Sequence, residues 1–360
     1  MTFATASPNP GPKQVVLKVG DPSVHLNGRW DAAPGTWWTG SGFKLFVEDL
    51  TSLTVNLGSH TTQPVAAIGL SVNYGPFTTL NVSEGTNELP LGLPTNAKKG
   101  SKSVVRINAQ GWQNNRLNVE SIVLNANAKP LTYNPSKIAF QFIGDSLSAG
   151  QFLDNGVDGA WPFLTGETFK AEHNINAQPG AALTDIESFG NVHGVSFQFF
   201  RTEDTGYFDT TDHNFTTPWN FKRDDPEPSH VAIHIGANDA SQNITADAFV
   251  NTYLTFTDRL RVLYPHQPFF VFTPWGWPNA DGTIGQYYQG SYQEIVNKRH
   301  AEGDKNVFLV DTTGWVTFAD VFPANQHPNP AGHVKIAGLF TQWLEKWGLS
   351  PEHQWSTLAS

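Results

Sequence analysis

"FQFIGDSLSAG", residues 140–150, carries apolar side chains straight into a glycine, an aspartate and a serine. Apolar runs that do not alternate belong to strands buried on both faces. A strand of that kind ending on a small hydroxyl is either a turn selected for its shape or a serine held out at the end of a sheet as a nucleophile. Gly144-Asp145-Ser146 alone reads as a turn or a helix cap. The choice therefore rests on what accompanies it.

Further along, "VAIHIGA" (231–237), "PFFVFTP" (268–274) and "NVFLVD" (306–311) repeat the continuous apolar character of "IAFQFIG" (138–144). Between them lie helical patterns. Val250, Tyr253, Leu254, Leu260 and Leu263 make an apolar stripe within 245–264. Ile336, Leu339, Phe340, Trp343, Leu344 and Trp347 follow the i, i+3, i+4, i+7 rule within 331–347. Strands alternating with helices predict an α/β fold with a parallel sheet covered on both faces, whose ligands bind at the carboxyl ends of the strands. Ser146 falls at one such end.

Upstream the pattern is different. "QVVLKV" (14–19), "FKLFVED" (43–49), "SLTVNLG" (52–58), "VAAIGLSVNY" (65–74) and "SVVRINA" (103–109) are short strands separated by Gly, Pro, Asn and Ser turns. They predict an all-β jelly roll or sandwich over 1–130. The stretch "NANAKPLTYNPSK" (125–137) supplies a linker at 131–137, and the α/β part occupies 138–360. Two domains suit a chain of 360 residues.

Composition narrows the function. A net charge of −10, with only 15% charged residues, disfavours nucleic acid and anionic membranes as partners. No apolar run approaches the roughly 20 residues needed to span a bilayer. Cysteine is absent, which excludes disulfides, thiolate metal sites and cysteine nucleophiles. The histidines lack a metal-binding spacing and no glycine-rich phosphate cradle occurs, so no metal and no cofactor is expected. The opening "MTFATASPNPGPKQ" does not read as a secretory signal. Localisation stays open, secreted if a signal has been removed and otherwise cytoplasmic. Sequons at Asn81, Asn214 and Asn243 would matter only in a secreted chain.

Three more motifs accompany Ser146. Gly236-Ala237-Asn238-Asp239 follows "VAIHI", "NAQPGAALTD" (176–185) puts Gly180 after a strand at 173–177, and "NQHPNPAGHVKIA" (325–337) puts His327 just before the last helix. Serine becomes nucleophilic when a base takes its proton, and histidine is the natural base near neutrality. Acyl transfer also needs donors aimed at the developing oxyanion. The Ser146 N–H, the Gly180 N–H and the Asn238 side-chain amide are candidates. Asp145 and Asp239 are explained by capping and loop structure. His234 reads as a strand histidine packed near the sheet. His333 competes with His327, although its place in the first turn of the final helix suits packing better.

This order of serine, glycine, asparagine and histidine blocks resembles the SGNH hydrolase superfamily, also called GDSL esterases, over roughly 138–347. The resemblance implies a three-layer, flavodoxin-like domain with Ser146 as nucleophile, Gly180 and Asn238 as oxyanion donors, and His327, followed by proline, as base. With a β domain in front, the chain looks like the two-domain family 2 carbohydrate esterases, which remove acetyl groups from plant polysaccharides. "NGRW" (27–30) and "WWTGSGFKLFV" (37–47) are similar to the start of that family's β domain. One position departs: most SGNH enzymes carry an aspartate three residues before the histidine, and here Ala324 stands there. Asp320 is the nearest upstream acid and is not assigned. Another acceptor, such as a backbone carbonyl, has to orient His327.

For substrate, Trp275 and Trp277 in "TPWGWPNADG" (273–282) offer flat faces for pyranose rings, and the pattern does not separate them. The long stretch 187–228 suits a lid or a subsite wall. The expected function is a serine esterase removing acyl groups, with acetyl the one expected, from an acetylated oligo- or polysaccharide. Two alternatives stand beside it: the same chemistry on lipid or small aryl esters, and a carbohydrate-binding protein with a degraded site.

Overall fold

The computed structural model describes residues 13–94, 96, 98–203 and 217–360. Its first part contains β1 (Val15–Leu17), β2 (Val24–Asn27), β3 (Gly35–Thr36), β4 (Gly42–Glu48), β5 (Leu53–Leu57), β6 (Ala66–Val72), β7 (Thr78–Val82), β8 (Gly85–Glu88), β9 (Lys102–Ala109), β10 (Leu117–Leu124) and β11 (Lys129–Leu131). They pair antiparallel into two sheets. One runs β1-β10-β5-β8 with β3 on β10, the other β11-β4-β9-β6-β7 with β2 on β4.

The two-residue period of a strand decides which side chains meet. Phe43, Leu45 and Val47 of β4 and Val105 and Ile107 of β9 enter a core shared with Leu53, Val55 and Leu57 of β5 and Ile122 and Leu124 of β10. The intervening Lys44 and Arg106 point the other way, yet they too are buried. This sheet is therefore covered on its second face, and the remainder of the chain covers it.

That remainder contains β12 (Ala139–Gly144), α1 (Ser146–Ala149), α2 (Trp161–Phe169), β13 (Glu172–Ala177), α3 (Val195–Gln198), β14 (His230–His234), α4 (Ala237–Ser241), α5 (Ala246–Leu263) and β15 (Phe269–Phe272). A two-stranded ribbon, β16 (Trp277–Pro278) and β17 (Ile284–Gly285), precedes α6 (Ser291–Ala301), β18 (Val307–Val310) and α7 (Pro330–Trp347). The parallel strands are ordered β13-β12-β14-β15-β18. The chain starts at β12, moves to one side for β13, then crosses to the other. This reversal makes the ends of β12 and β14 the switch point where open sheets bind ligands.

Both faces of the sheet are packed. Phe140 and Phe142 meet Phe163 and Phe169 of α2 and Ile336 and Phe340 of α7. Ile143 and Ile233 meet Phe249, Tyr253 and Phe256 of α5. The helices expected at 245–264 and 331–347 start where their caps dictate: Thr245 accepts from the Ala248 N–H, and Asn329 accepts from the Gly332 N–H with Pro330 in the first turn.

The two parts are joined by buried polar contacts. Lys44 pairs with Glu172 of β13. Arg106 pairs with Glu167 at 2.7 Å, and Asn108 donates to Asp158 at 2.7 Å. The segment 131–137, expected as a linker, is packed rather than loose. Lys129–Leu131 is a strand on β4, and beyond it the Tyr133 hydroxyl and the Ser136 N–H donate to Glu172 at 3.2 and 3.1 Å. A buried carboxylate needs several donors, and this segment supplies two. The chain end returns to the first part, where Ser360 and Lys102 exchange main-chain hydrogen bonds.

Burial alone would raise the Glu172 pKa, but the Lys44 charge and hydrogen bond outweigh it and lower it from 4.5 to about 2. The folded value lies below the unfolded one, so the stabilisation is present above pH 4.5 and fades as pH falls toward 2. Lys44→Met leaves an unpaired buried carboxylate and should destabilise the protein by about 3–5 kcal/mol at neutral pH, read by urea denaturation.

Candidate active site

Ser146 opens α1, directly after β12. Asp145 caps this helix, accepting from the Leu147 N–H at 3.0 Å. Gly144 is required by close approach, because a Cβ there would lie 2.6 Å from the Ser148 Oγ and 2.9 Å from the His234 carbonyl oxygen. The serine is held at the strand end with little freedom.

His327 comes from the loop before α7. Its Nε2 lies 2.9 Å from the Ser146 Oγ and its Nδ1 lies 3.0 Å from the carbonyl oxygen of Asn325. A carbonyl only accepts, so the proton sits on Nδ1 and the Nε2 lone pair faces the hydroxyl. The acceptor standing in for the missing aspartate is thus the main chain two residues upstream. Gln326, at φ +58, turns the chain so that this carbonyl reaches back to the ring. The Asn325 Oδ1 also accepts from the His327 N–H at 3.0 Å, and Gln326 donates to the Pro278 carbonyl at 2.8 Å, tying the loop to β16. Asp320 is engaged elsewhere, by Thr317 and by Lys335 at 2.6 Å.

Gly180 takes φ +79 and lines the same cleft as Ser146, Asn238 and His327, a space of about 320 Å³. Asn238 sits in the first turn of α4, its Nδ2 donating to the Ala181 carbonyl at 2.9 Å. The neighbouring Asp239 accepts from the Leu183 and Thr184 N–H groups at 2.7 and 2.9 Å. Asp239 therefore clamps the Gly180 loop to α4, the loop-structural side of the capping and loop roles expected of it. A larger hollow of about 1190 Å³, between Asp49, Lys98 and Ser360, contains none of these residues.

The competing histidines are placed apart. His333 is buried and its Nδ1 accepts from the Trp161 N–H at 3.1 Å, which fixes the start of α2. Burial lowers its pKa to about 3, with the nearby His327 adding to the effect. His234 stacks on Trp275 with ring centroids 3.9 Å apart. That contact corrects the tryptophan expectation. Trp275 is 1% exposed and belongs to the core, whereas Trp277 lines the cleft 5.9 Å from the His327 ring. The turn at Gly276, φ +75, sends the two indoles different ways.

Trp112, Phe152 and Gln178 are among the cleft residues that sequence reasoning did not single out, and Phe189 lines the cleft from the stretch 187–228. Trp112 comes from the β-sandwich part, so both parts wall the cleft. Phe152 lies edge-on to His327 at 4.9 Å. Phe152 and Phe189 are 50% and 66% exposed and take φ +72 and +46, an outlying conformation for bulky residues. Of the stretch 187–228, residues 204–216, with the sequon at Asn214, lie outside the described residues. Its described flanks dock on the sandwich part, through Arg29 to the Arg201 carbonyl and Trp38 to the Thr202 carbonyl. Among the described residues, no group of three His, Asp or Glu is placed to hold a metal ion, and no helix is long and apolar enough to cross a membrane.

The arrangement can pass the Ser146 proton to Nε2, with Gly180 and Asn238 lining the same space. The GDSL-like lipase/acylhydrolase family profile matches residues 142–335, more than half of the chain, and the chain belongs to that family. No curated protein sequence matches it. Among solved structures it is similar to the acetyl xylan esterase Est2A from the rumen bacterium Butyrivibrio proteoclasticus, at 15% identity and a TM-score of 0.75 over 93% of this chain and 98% of that one. A family two carbohydrate esterase from Cellvibrio japonicus gives 15% identity and a TM-score of 0.72 over the same shares. The salicylyl-acyltransferase SsfX3 from a tetracycline biosynthetic pathway gives 14% and 0.64 over 94% and 98%. The likeness spans both parts of the chain, and at these identities what is shared is the fold.

Burial lowers the His327 pKa below 6.5, partly opposed by the hydrogen bond to the Asn325 carbonyl. The base form is the deprotonated one, so kcat/KM for p-nitrophenyl acetate should rise along a limb centred below pH 6.5 and stay level through pH 8. A limb centred above pH 7 contradicts this. Because Nδ1 already has its acceptor, Ala324→Asp should change kcat by less than about tenfold, set against the ~10⁴ that an orienting carboxylate can supply where none else exists.

Proposed function

We propose that the protein is a serine esterase that removes acetyl groups from an acetylated oligo- or polysaccharide. The observation that carries this is the 2.9 Å contact between the Ser146 Oγ and the His327 Nε2, with the opposite ring nitrogen on the Asn325 carbonyl. Ser146 attacks the ester carbonyl as Nε2 takes its proton. The tetrahedral oxyanion accepts from the Ser146 and Gly180 N–H groups and the free N–H of the Asn238 amide. His327 returns the proton to the departing sugar oxygen, leaving an acetyl-serine. Water then repeats the sequence, giving acetate and restoring the hydroxyl.

Three features support a carbohydrate as the alcohol. Trp112 and Trp277 present aromatic faces at the cleft, the surface that pyranose C–H groups pack against. The fold is shared with an acetyl xylan esterase and a family two carbohydrate esterase. The chain's negative charge suits a neutral polymer. The intact Ser–His contact supports turnover over a role in binding alone.

Purified protein should release acetate from acetylated xylan or glucomannan, and Ser146→Ala should lower kcat by at least about 10³-fold. Hydrolysis undiminished in the variant, or confined to long acyl esters, contradicts the proposal.

A further inference from the structure

Phe152 stands on the short turn that joins α1 to the segment pinned on the sandwich. The Leu153 N–H donates to the Gly150 carbonyl at 3.1 Å and the Val157 N–H to the Gln110 carbonyl at 3.2 Å. Leu153 and Val157 are buried and anchor the turn. Phe152 is not part of that anchoring. It is half-exposed, joins none of the apolar clusters of the described residues, and lines the cleft with Ser146 and His327. Among the described residues its one ring partner is His327, with centroids 4.9 Å apart and planes at 78°. An edge-to-face pair of this kind leaves at least one face of the phenyl ring uncovered by its partner.

The work of His327 in the proposed reaction fixes which half of the ester comes near. Nε2 hands its proton to the departing alcohol oxygen, which must come within hydrogen-bond reach of it. The group carrying that oxygen therefore lies beside the imidazole, where the neighbouring rings are Phe152 and, at 5.9 Å, Trp277. Among the described residues lining the cleft there is no Asp, Glu, Lys or Arg. A flat apolar face suits the C–H groups of a pyranose. A carboxylate or ammonium on that pyranose would lose water and meet no counter-charge.

We propose that Phe152 is a specificity-determining residue whose ring packs against an uncharged pyranose on the alcohol half of the substrate, the sugar that departs when the ester is cleaved. The proposal rests on the esterase reading above. It adds a residue that selects the leaving group and the charge that this leaving group must lack.

The test uses methyl β-glucopyranoside carrying one acetyl group at whichever secondary hydroxyl is cleaved fastest, the matching glucuronoside, and ethyl acetate as a substrate without a ring. The unmodified protein should favour the glucoside over each of the other two by about tenfold or more in kcat/KM. Phe152→Ala should remove most of the preference over ethyl acetate by raising KM for the glucoside, with kcat within about threefold and ethyl acetate within about twofold. Its acid limb on ethyl acetate should stay in place, and Phe152→Tyr should restore the preference. If Phe152→Ala does not fold, Phe152→Leu carries the same expectation, since it keeps apolar bulk without a flat face. The inference is overturned if the unmodified protein shows no preference for the glucoside, if it accepts the glucuronoside equally, or if the variant keeps its preference for the ring. Parallel loss of both neutral esters, or a shifted acid limb, overturns it too, because Phe152 then acts only through His327. Failure of the esterase reading looks different: the unmodified protein hydrolyses none of the three esters, and this inference falls with it.

Discussion

A neutral imidazole can take a proton at Nε2 only while its own proton stays on Nδ1, and the group facing Nδ1 decides this. Here that group is a main-chain carbonyl, which cannot donate and so enforces the tautomer as an aspartate would. It carries no net charge, and so stabilises the imidazolium less than a carboxylate. In exchange it cannot be protonated, and the orientation of His327 does not depend on the titration of a second group. The rest of the loop serves this contact. Gln326 takes a left-handed backbone, Asn325 grips the His327 N–H, and the pairing of Val321 with Pro328 holds the base of the loop in front of α7.

The second constraint is the seam between the β-sandwich and the parallel sheet. Lys44, Arg106 and Asn108 lie on the strand faces turned away from the sandwich core, and each meets an acid or an amide-accepting carboxyl of the other part. Such contacts add little net stability over an apolar seam, but they fix geometry. The geometry matters because Asp158, held by Asn108 and Gln110, belongs to the short turn that follows Phe152. Trp112 stands on the sandwich side of the same cleft. The sandwich thereby contributes part of the cleft wall beside Ser146 and His327.

What the sequence disclosed and what it withheld divide along physical lines. Periodicity disclosed the sheet and the long helices, because burial on two faces or on one stripe leaves a repeating trace. Ser146, Asn238 and His327 drew notice because each sits at a strand end or before a helix, Gly180 because it follows a strand, and the structure brings all four to one cleft. The Asn325 carbonyl was not legible, since every residue has one and only the left-handed turn at Gln326 aims it. Trp275 and Trp277 are the same residue type two positions apart, and only the Gly276 turn and the His234 stack separate them. Trp112 and Gln178 enter the cleft through tertiary placement, and no local pattern marks them.

Asp145 shows the site being built at the expense of stability. It is fully buried beneath the nucleophile, one carboxyl oxygen capping α1 and the other without a partner. Burial chiefly, helped by the nearby Asp239 and opposed by the Leu147 N–H, raises its pKa from 3.8 to about 7. The folded state thus binds this proton more tightly than the unfolded chain. Between pH 4 and 7 the group's contribution turns increasingly against folding as pH rises. A neutral carboxyl has a compensating merit in this position. In the proposed reaction an anion so close to Ser146 would repel the developing oxyanion, whereas a protonated or weakly ionised carboxyl would not. The left-handed turns at Phe152 and Phe189 likewise place exposed aromatics on the wall of the cleft that Ser146 and His327 line.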